Sequence, residues 1–187
     1  MIDISGITIS QAASALSINT GANPMSLLAT GAVKRPGQTM FVAIDIGTGW
    51  VYFADGVWTK IPLKNTGSSP NIGSCFDFVN SRFTAPVTGT YWFAGSTYIY
   101  KDNGSVGHYW HPIFYLNGSV NSPLSGAPMY RLRGHGILGT SCEFDGQIDA
   151  MFELNAGDYV EYWHYATGAG GNRWYNHYSR FAGGLIG

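Results

Sequence analysis

The residues in this chain that could do chemistry are five histidines and a small number of carboxylates. His108 and His111 are the only close pair of histidines. Three positions apart on a strand, their side chains point to opposite faces, so they cannot easily share a metal ion. His135, His164 and His177 stand alone in the sequence. We therefore predict no metal, and a metal site assembled from several copies of the chain remains the alternative.

Three acidic residues, Asp145, Asp149 and Glu153, follow one another at even spacing. A calcium site or the paired carboxyls of a glycosidase could use carboxylates on one face of a strand. The intervening residues include Phe152, and Leu154 follows, so the segment alternates between polar and apolar. That pattern is typical of a strand with one solvated face, which is the interpretation we favour.

The segment GHGILG, residues 134–139, fits the pattern Gly-x-Gly-x-x-Gly. A dinucleotide site needs a strand before this pattern and a helix after it. The following residues, TSCEFDGQIDAMFEL, alternate like a strand, so a flexible loop is the better interpretation. No Gly-x-Ser-x-Gly elbow is present, and nothing points to a catalytic triad. We predict neither an enzyme nor a cofactor, with a hydrolase as the least favoured alternative.

Two segments, GHYWHPIFY and GGNRWYNHYSR, combine aromatic residues with amide and guanidinium groups around glycines. Such residues suit sugar rings and also dominate protein interfaces. A surface site for a ligand and packing in the core or between chains are both open interpretations. The candidate ligand residues are Tyr109, Trp110, Trp174, Tyr175 and Asn176.

The composition is poor in charge and rich in aromatic residues. Of 187 residues, 11% are charged, well below the roughly 25% of ordinary soluble domains. The net charge of -1 and the lack of a basic run argue against nucleic acid as a partner. No apolar stretch is long enough for a membrane span, and the N-terminal residues lack the pattern of a secretory signal. We therefore expect synthesis in a cytoplasm.

Cys75 and Cys142 are expected to be buried thiols, with a single disulfide as the alternative.

Residues 1–36 differ from the rest of the chain. They contain no aromatic residue and carry charge only at Asp3, Lys34 and Arg35. The run SQAASALSI could form a short helix, but Asn23-Pro24 and the proline at 36 exclude a long one. We predict an N-terminal arm or anchor over 1–36 that docks on a partner, with simple disorder as the alternative.

Residues 37–187 read as strands and turns throughout. Apolar or alternating runs such as MFVAID, HYWHPIFYL and DYVEYWHY are separated by Gly-rich turns, including Asn103-Gly104 and Asn117-Gly118. No helical period survives past residue 36. Short strands with such turns predict an all-β sandwich or barrel.

The stretch RFTAPVTGTYWFAG, residues 82–95, predicts a turn that leads into one long strand. Because successive strand residues point to opposite faces, Tyr91 and Phe93 share one face with Thr97 and Ile99. Trp92, Tyr98 and Tyr100 lie on the other face. A sheet with one face in water should not carry aromatics on both, so something else must cover the second face.

These residues resemble the signature of the C1q globular-domain family. The matching positions are Asn71, Phe76, Phe83, Gly89, Tyr91 and Phe93, and FYLNG, LNAGDYVEYW and YSRFAGGLIG resemble later family segments in the same order. The likeness covers about residues 39–187. Departures are Asn65, where the family has its first phenylalanine, and Gly95, where it has an aromatic residue.

The resemblance implies a C1q/TNF-like jelly roll that assembles as a homotrimer. One face of the long strand would pack in the sandwich core, and the other would meet neighbouring copies near a three-fold axis. A loop of the same chain is the alternative cover for that second face. The residues assigned to core or trimer interface are Tyr91, Trp92, Phe93, Tyr98, Tyr100 and Phe181.

The resemblance also suggests a biological setting. A low-charge trimeric head on a short arm, without a collagen-like stalk, resembles modules displayed on bacteriophage particles. We therefore expect a structural virion surface protein, such as a capsid decoration, cement or head-fibre protein, bound to a capsid or baseplate protein through residues 1–36. The alternative is a receptor-binding or carbohydrate-binding fibre tip, with a host-surface glycan as partner.

Overall fold

The computed structural model of the chain describes the backbone in eleven segments. They are residues 8–12, 15–19, 25–28, 33–34, 38–45, 51–64, 69–102, 108–119, 132–134, 141–167 and 174–186. Side chains are described in 38–45, 51–64, 69–100, 111–119, 146–167 and 178–186. The chain divides into two compact units, Met1–Thr39 and Met40–Gly187. Within the described residues, no helix is long and apolar enough to cross a membrane.

The N-terminal unit contains a four-stranded antiparallel meander. Its strands are β1 (Thr8–Ala12), β2 (Ala15–Asn19), β3 (Met25–Leu28) and β4 (Val33–Lys34), in that order across the sheet. The short helix considered for SQAASALSI is wrong, since that run forms parts of β1 and β2. The register pairs Ile9 with Ile18 and Leu16 with Leu27. Within β2, Leu16 and Ile18 are two positions apart and therefore lie on the same side of the sheet.

The second unit is a sandwich, and its first sheet contains the longest strands. The order across this sheet is β14-β11-β16-β5-β8, and β6 also pairs with β16. The strands are β5 (Met40–Asp45), β6 (Val51–Phe53), β8 (Asn71–Ile72), β11 (Gly89–Asp102), β14 (Ser141–Leu154) and β16 (Trp174–Leu185).

The second sheet has β15 at its centre. The order is β13-β12-β15-β10-β9, and the short β7 also pairs with β15. The strands are β7 (Thr59–Lys60), β9 (Phe76–Asp77), β10 (Arg82–Thr84), β12 (His108–Leu116), β13 (Leu132–Gly134) and β15 (Tyr159–Thr167). Every strand pair in both sheets is antiparallel. The prediction of an all-β sandwich is confirmed.

The core between the sheets is a cluster of stacked aromatic rings. The Phe41 ring lies 4.6 Å from that of Phe76 and 4.9 Å from that of Phe181, centroid to centroid. The Phe83 and Phe93 rings lie 5.1 Å apart in an edge-on arrangement. All five side chains are buried. Edge-on and offset contacts of this kind add to the burial of apolar surface.

The residues that carry the family resemblance have structural roles here. Phe76, Phe83, Tyr91 and Phe93 all lie in the core. Asn71 closes the turn between β8 and β9, because its amide nitrogen donates to the Phe76 carbonyl at 2.9 Å and its oxygen accepts from the Phe76 N–H at 3.0 Å. The signature residues therefore pack the core of this sandwich and close one of its turns.

Strand β11 has the two faces that its sequence predicts. Tyr91 and Phe93 are fully buried, and so are Thr97 and Ile99. Trp92, between the first two, is 42% exposed. At Gly95 the ring of the buried Tyr162 occupies the space that a side chain would need, since a Cβ there would lie 2.7 Å from two ring carbons. This contact explains glycine where the family has an aromatic residue.

Candidate functional site on the outer faces of the two sheets

The outer face of the first sheet, here called the front face, carries an apolar row. The register places Met151 beside Trp92, Trp92 beside Gly184, and Gly184 beside Met40. Met151 is 67% exposed, and Trp92 and Met40 are each 42% exposed. Large exposed apolar side chains that adjoin one another are uncommon on isolated soluble domains and mark contact surfaces.

A depression of about 470 Å³ lies next to this row. Its lining includes Ala94 and Ala182, which are paired across β11 and β16. Asp149 and Arg180 line it as well, and both are exposed. Small side chains and opposite charges in one depression give a surface that another chain can approach closely.

The outer face of the second sheet carries a cluster of four aromatic residues, here called the aromatic platform: Trp58, Tyr115, Trp163 and Tyr165. The Tyr115 and Trp163 rings are stacked at 4.5 Å with an interplanar angle of 11°. The Trp58 ring lies 5.9 Å from Tyr115 and 5.2 Å from Tyr165. Tyr115 is buried, and the other three are half-buried. The platform is therefore a continuous set of rings that remains partly open.

An ion pair lies against the platform and fixes one of its rings. The Lys60 ammonium contacts Glu161 Oε1 at 3.2 Å, and the Trp163 indole N–H donates to Glu161 Oε2 at 3.0 Å. The Lys60 nitrogen also lies 6.0 Å from the centre of the Trp163 ring. Because Glu161 is bonded at both oxygens, it ties the two-residue β7 to β15 and orients the indole.

Two titratable side chains are buried away from both outer faces. Burial lowers the pKa of His164 from 6.5 to about 3, and its ring lies 4.1 Å from that of Phe53. His164 Nδ1 has no hydrogen-bond partner within the described part of the chain. Cys75 is a free buried thiol, and burial raises its pKa to about 11. Both groups are neutral at pH 7 and act as packing residues.

The residues assigned to core or trimer interface divide between the two sides of the first sheet. Tyr91, Phe93 and Phe181 are fully buried. Trp92 lies in the apolar row of the front face. Tyr98 and Tyr100 are half-buried on the same side of β11 as Trp92. The structure thus brings Trp92 to a surface together with Met151 and Met40, which the sequence did not single out.

The five candidate ligand residues lie in described strands, but their side chains are outside the described part. Tyr109 and Trp110 belong to β12, and residues 174–176 begin β16. The GHGILG segment also lies outside it, apart from Gly134, whose backbone ends β13. Among the described residues, no group of three or more histidine, cysteine or acidic side chains is placed to hold a metal ion.

The carboxylate set of β14 has the alternation that the sequence predicts. Asp149 and Glu153 are exposed, whereas Ile148, Ala150 and Phe152 are buried. Asp149 also lines the depression of the front face. The Asp145 side chain lies outside the described part.

Sequence reasoning missed the aromatic platform, although part of its signal is present. In DYVEYWHY, the residues Glu161, Trp163 and Tyr165 occupy alternate positions and therefore one face of a strand. Trp58 and Lys60 reach the same face only through the pairing of β7 with β15. That pairing joins segments about a hundred positions apart, which no local pattern reveals.

No protein-family model matches the chain, and no curated protein sequence matches it. Among solved structures, it is similar to the globular domain of zebrafish complement 1qA protein, with 17% sequence identity and a TM-score of 0.49. The match covers 80% of this chain and 98% of that chain.

Proposed function

We propose that the chain is a structural protein on the surface of a virus particle, with a role like that of a phage capsid decoration, cement or head-fibre protein. Three copies of the β-sandwich pack through their front faces, and the N-terminal unit docks on a capsid or baseplate protein. The chain is made in the host cytoplasm and acts without catalysis or a cofactor. The observation that carries this proposal is the exposed apolar row of the front face.

The apolar row supplies a driving force for self-association. Burying one large apolar side chain is worth roughly 1.5–3 kcal/mol relative to leaving it exposed. Trp92 adjoins Met151, and only Gly184 separates it from Met40, so one contact between copies can cover all three. The number three comes from the sequence resemblance to C1q heads, which assemble as trimers.

The charges at the depression supply register. Asp149 and Arg180 have opposite signs and line the same depression as the two small residues Ala94 and Ala182. Opposite charges on adjoining copies favour one orientation over others, and like charges brought together oppose slippage. The front face therefore combines an apolar contact with a polar restraint on how copies meet.

The N-terminal unit has a composition that suits docking. Directly opposed positions lie on the same side of an antiparallel sheet. By the register of β1 to β4, one side holds mostly apolar positions and the other mostly Ser, Thr, Ala and Asn. The apolar set is Ile9, Leu16, Ile18, Met25, Leu27 and Val33. We propose that this side faces the capsid or baseplate.

The homotrimer is tested by a charge placed in the depression. Ala94→Arg adds a long cation to its lining, and we expect the native mass to fall from three times 20.2 kDa to that of one chain. Val79→Arg is the matched control, because it adds the same charge at a side chain that is 93% exposed on a turn. Light scattering after gel filtration measures both. A single-chain mass for the unsubstituted protein contradicts the trimer.

The virion role is tested by co-sedimentation with particles of the encoding virus that lack this chain. We expect the full chain to sediment with the particles, and a chain without residues 1–36 to stay in the supernatant. Equal sedimentation of both chains would place the docking surface in the sandwich. The absence of any sedimentation would contradict a structural role on the particle.

A further inference from the structure

The aromatic platform is held in one geometry before any ligand arrives. Trp163 is fixed by the stack with Tyr115 and by the indole bond to Glu161, at 4.5 Å and 3.0 Å respectively. Trp58 packs against both Tyr115 and Tyr165, with ring centres 5.9 Å and 5.2 Å away. A preformed site loses little conformational freedom on binding, which improves affinity for a small ligand.

The charge and size of the platform narrow the class of ligand. Its cation and its carboxylate neutralise each other, because Lys60 and Glu161 form an ion pair. A neutral ligand is therefore favoured over an ionic one. With Tyr115 buried, the accessible part consists of portions of three rings, far less than the roughly 800 Å² per partner of a standard protein interface.

The surroundings of the rings are polar and can meet hydroxyl groups. Lys60 lies beside Trp163 and retains ammonium hydrogens beyond the one given to Glu161. The His111 ring lies 6.1 Å from that of Tyr165 at the other end of the platform. Flat apolar rings bordered by hydrogen-bonding groups match a pyranose, which has an apolar C–H face and a hydroxyl rim.

We propose that the aromatic platform binds a neutral pyranose ring of an oligosaccharide through Trp58, Trp163 and Tyr165. The sugar stacks its C–H face on the rings and directs hydroxyl groups toward Lys60. All these residues belong to one chain; Trp163 and Tyr165 lie in β15, and Trp58 directly precedes β7. The inference therefore goes beyond the proposed function and does not depend on the front face, so either one can fail without the other.

The test is saturation-transfer NMR on the full chain with the methyl glycosides of glucose, galactose, mannose and N-acetylglucosamine, in α and β forms. We expect transfer to the C–H protons of one ring face in at least one glycoside. Trp58→Ala and Tyr165→Ala should each weaken binding roughly tenfold, since each removes one stacking surface. Tyr52→Ala, which removes an exposed tyrosine from the first sheet, is the matched control and should leave binding unchanged.

Three outcomes would overturn the proposal. The first is the absence of transfer to all eight glycosides in the unsubstituted chain, a result that needs no variant to fold. The second is full binding in both platform variants, with folding verified by circular dichroism, which would put the sugar elsewhere. The third is a change in native mass on Trp58→Ala, which would make the platform an interface between copies of this chain.

Discussion

At the scale of single residues, Gly95 shows how the core sets a side-chain requirement. A Cβ there would lie 2.7 Å from the Tyr162 ring, and that ring is held because the Thr97 hydroxyl donates to the Tyr162 oxygen at 2.9 Å. Ser179 in turn donates to Thr97 at 3.2 Å, so the ring cannot move cheaply. We predict that Gly95→Ala lowers the free energy of unfolding by about 1–3 kcal/mol, measured by urea denaturation.

The same substitution in a chain that lacks the Tyr162 ring separates this clash from the general effect of replacing glycine in a strand. In a Tyr162→Leu chain the ring is gone, and we expect Gly95→Ala to cost much less there than in the unsubstituted protein. The difference between the two costs is the coupling between positions 95 and 162. Equal costs in both backgrounds would contradict the steric explanation.

The buried His164 should make the stability of the protein depend on pH. Its pKa is lowered to about 3 by burial, whereas the unfolded chain has the ordinary value near 6.5. Below pH 6.5 the imidazole of the unfolded chain binds a proton, whereas that of the folded chain stays neutral down to about pH 3. The neutral buried ring therefore contributes fully to stability above pH 6.5, and this contribution is lost as the pH falls toward 3. Near pH 5 the loss is about 2 kcal/mol.

The measurement is the free energy of unfolding in urea at a series of pH values between 4.5 and 7.5, the window suggested by this shift. His164→Leu removes the titrating ring at similar volume, and we expect its stability to depend much less on pH over that range. If the variant loses stability as steeply as the unsubstituted protein, groups other than His164 control the acid response.

At the scale of elements, the short β7 is tied to β15 by an asymmetric ion pair. The Glu161 side chain is 8% exposed, whereas that of Lys60 is 32% exposed and can reach water. Removing the lysine leaves a buried carboxylate without its cation, but removing the charge of the glutamate leaves a lysine that water can solvate. We predict that Lys60→Met lowers the free energy of unfolding by about 2 kcal/mol and Glu161→Gln by less than about 1 kcal/mol.

Urea denaturation of the two variants at pH 7 measures this asymmetry. Val57→Met, at an exposed residue next to the platform, is a control for adding a methionine to this surface. A larger loss for Glu161→Gln than for Lys60→Met would mean that the carboxylate serves the Trp163 indole more than the lysine.

Elements with a strong local pattern were predictable from the sequence. Strand β14 has alternating exposed and buried residues from Gln147 to Leu154, and β11 separates Trp92 from Tyr91 and Phe93. Strands β1 and β2 were not, because the small residues of SQAASALSI permit a helix as well as a strand. The outcome there depends on cross-strand pairs such as Ile9 with Ile18, which lie outside the local pattern.

At the scale of the whole molecule, the sandwich could be inferred from strands and turns, but its surfaces could not. The front face combines β5, β11, β14 and β16, and its apolar row needs the register of all four strands. A sequence shows which strand residues alternate, but not which residues of distant strands become neighbours. This explains why Trp92 was identified whereas Met151 and Met40 were not.

The last prediction concerns which unit holds the copies together. The second unit, Met40–Gly187, contains the whole front face. A chain that begins at Gly37 should therefore assemble with the same number of copies as the full chain. Trp92→Ser in that shorter chain should reduce the native mass to that of a single chain, because it removes the central side chain of the apolar row. Light scattering after gel filtration measures both. A shorter chain that is monomeric without any substitution would place the association in residues 1–36, and the front face would then need a different occupant.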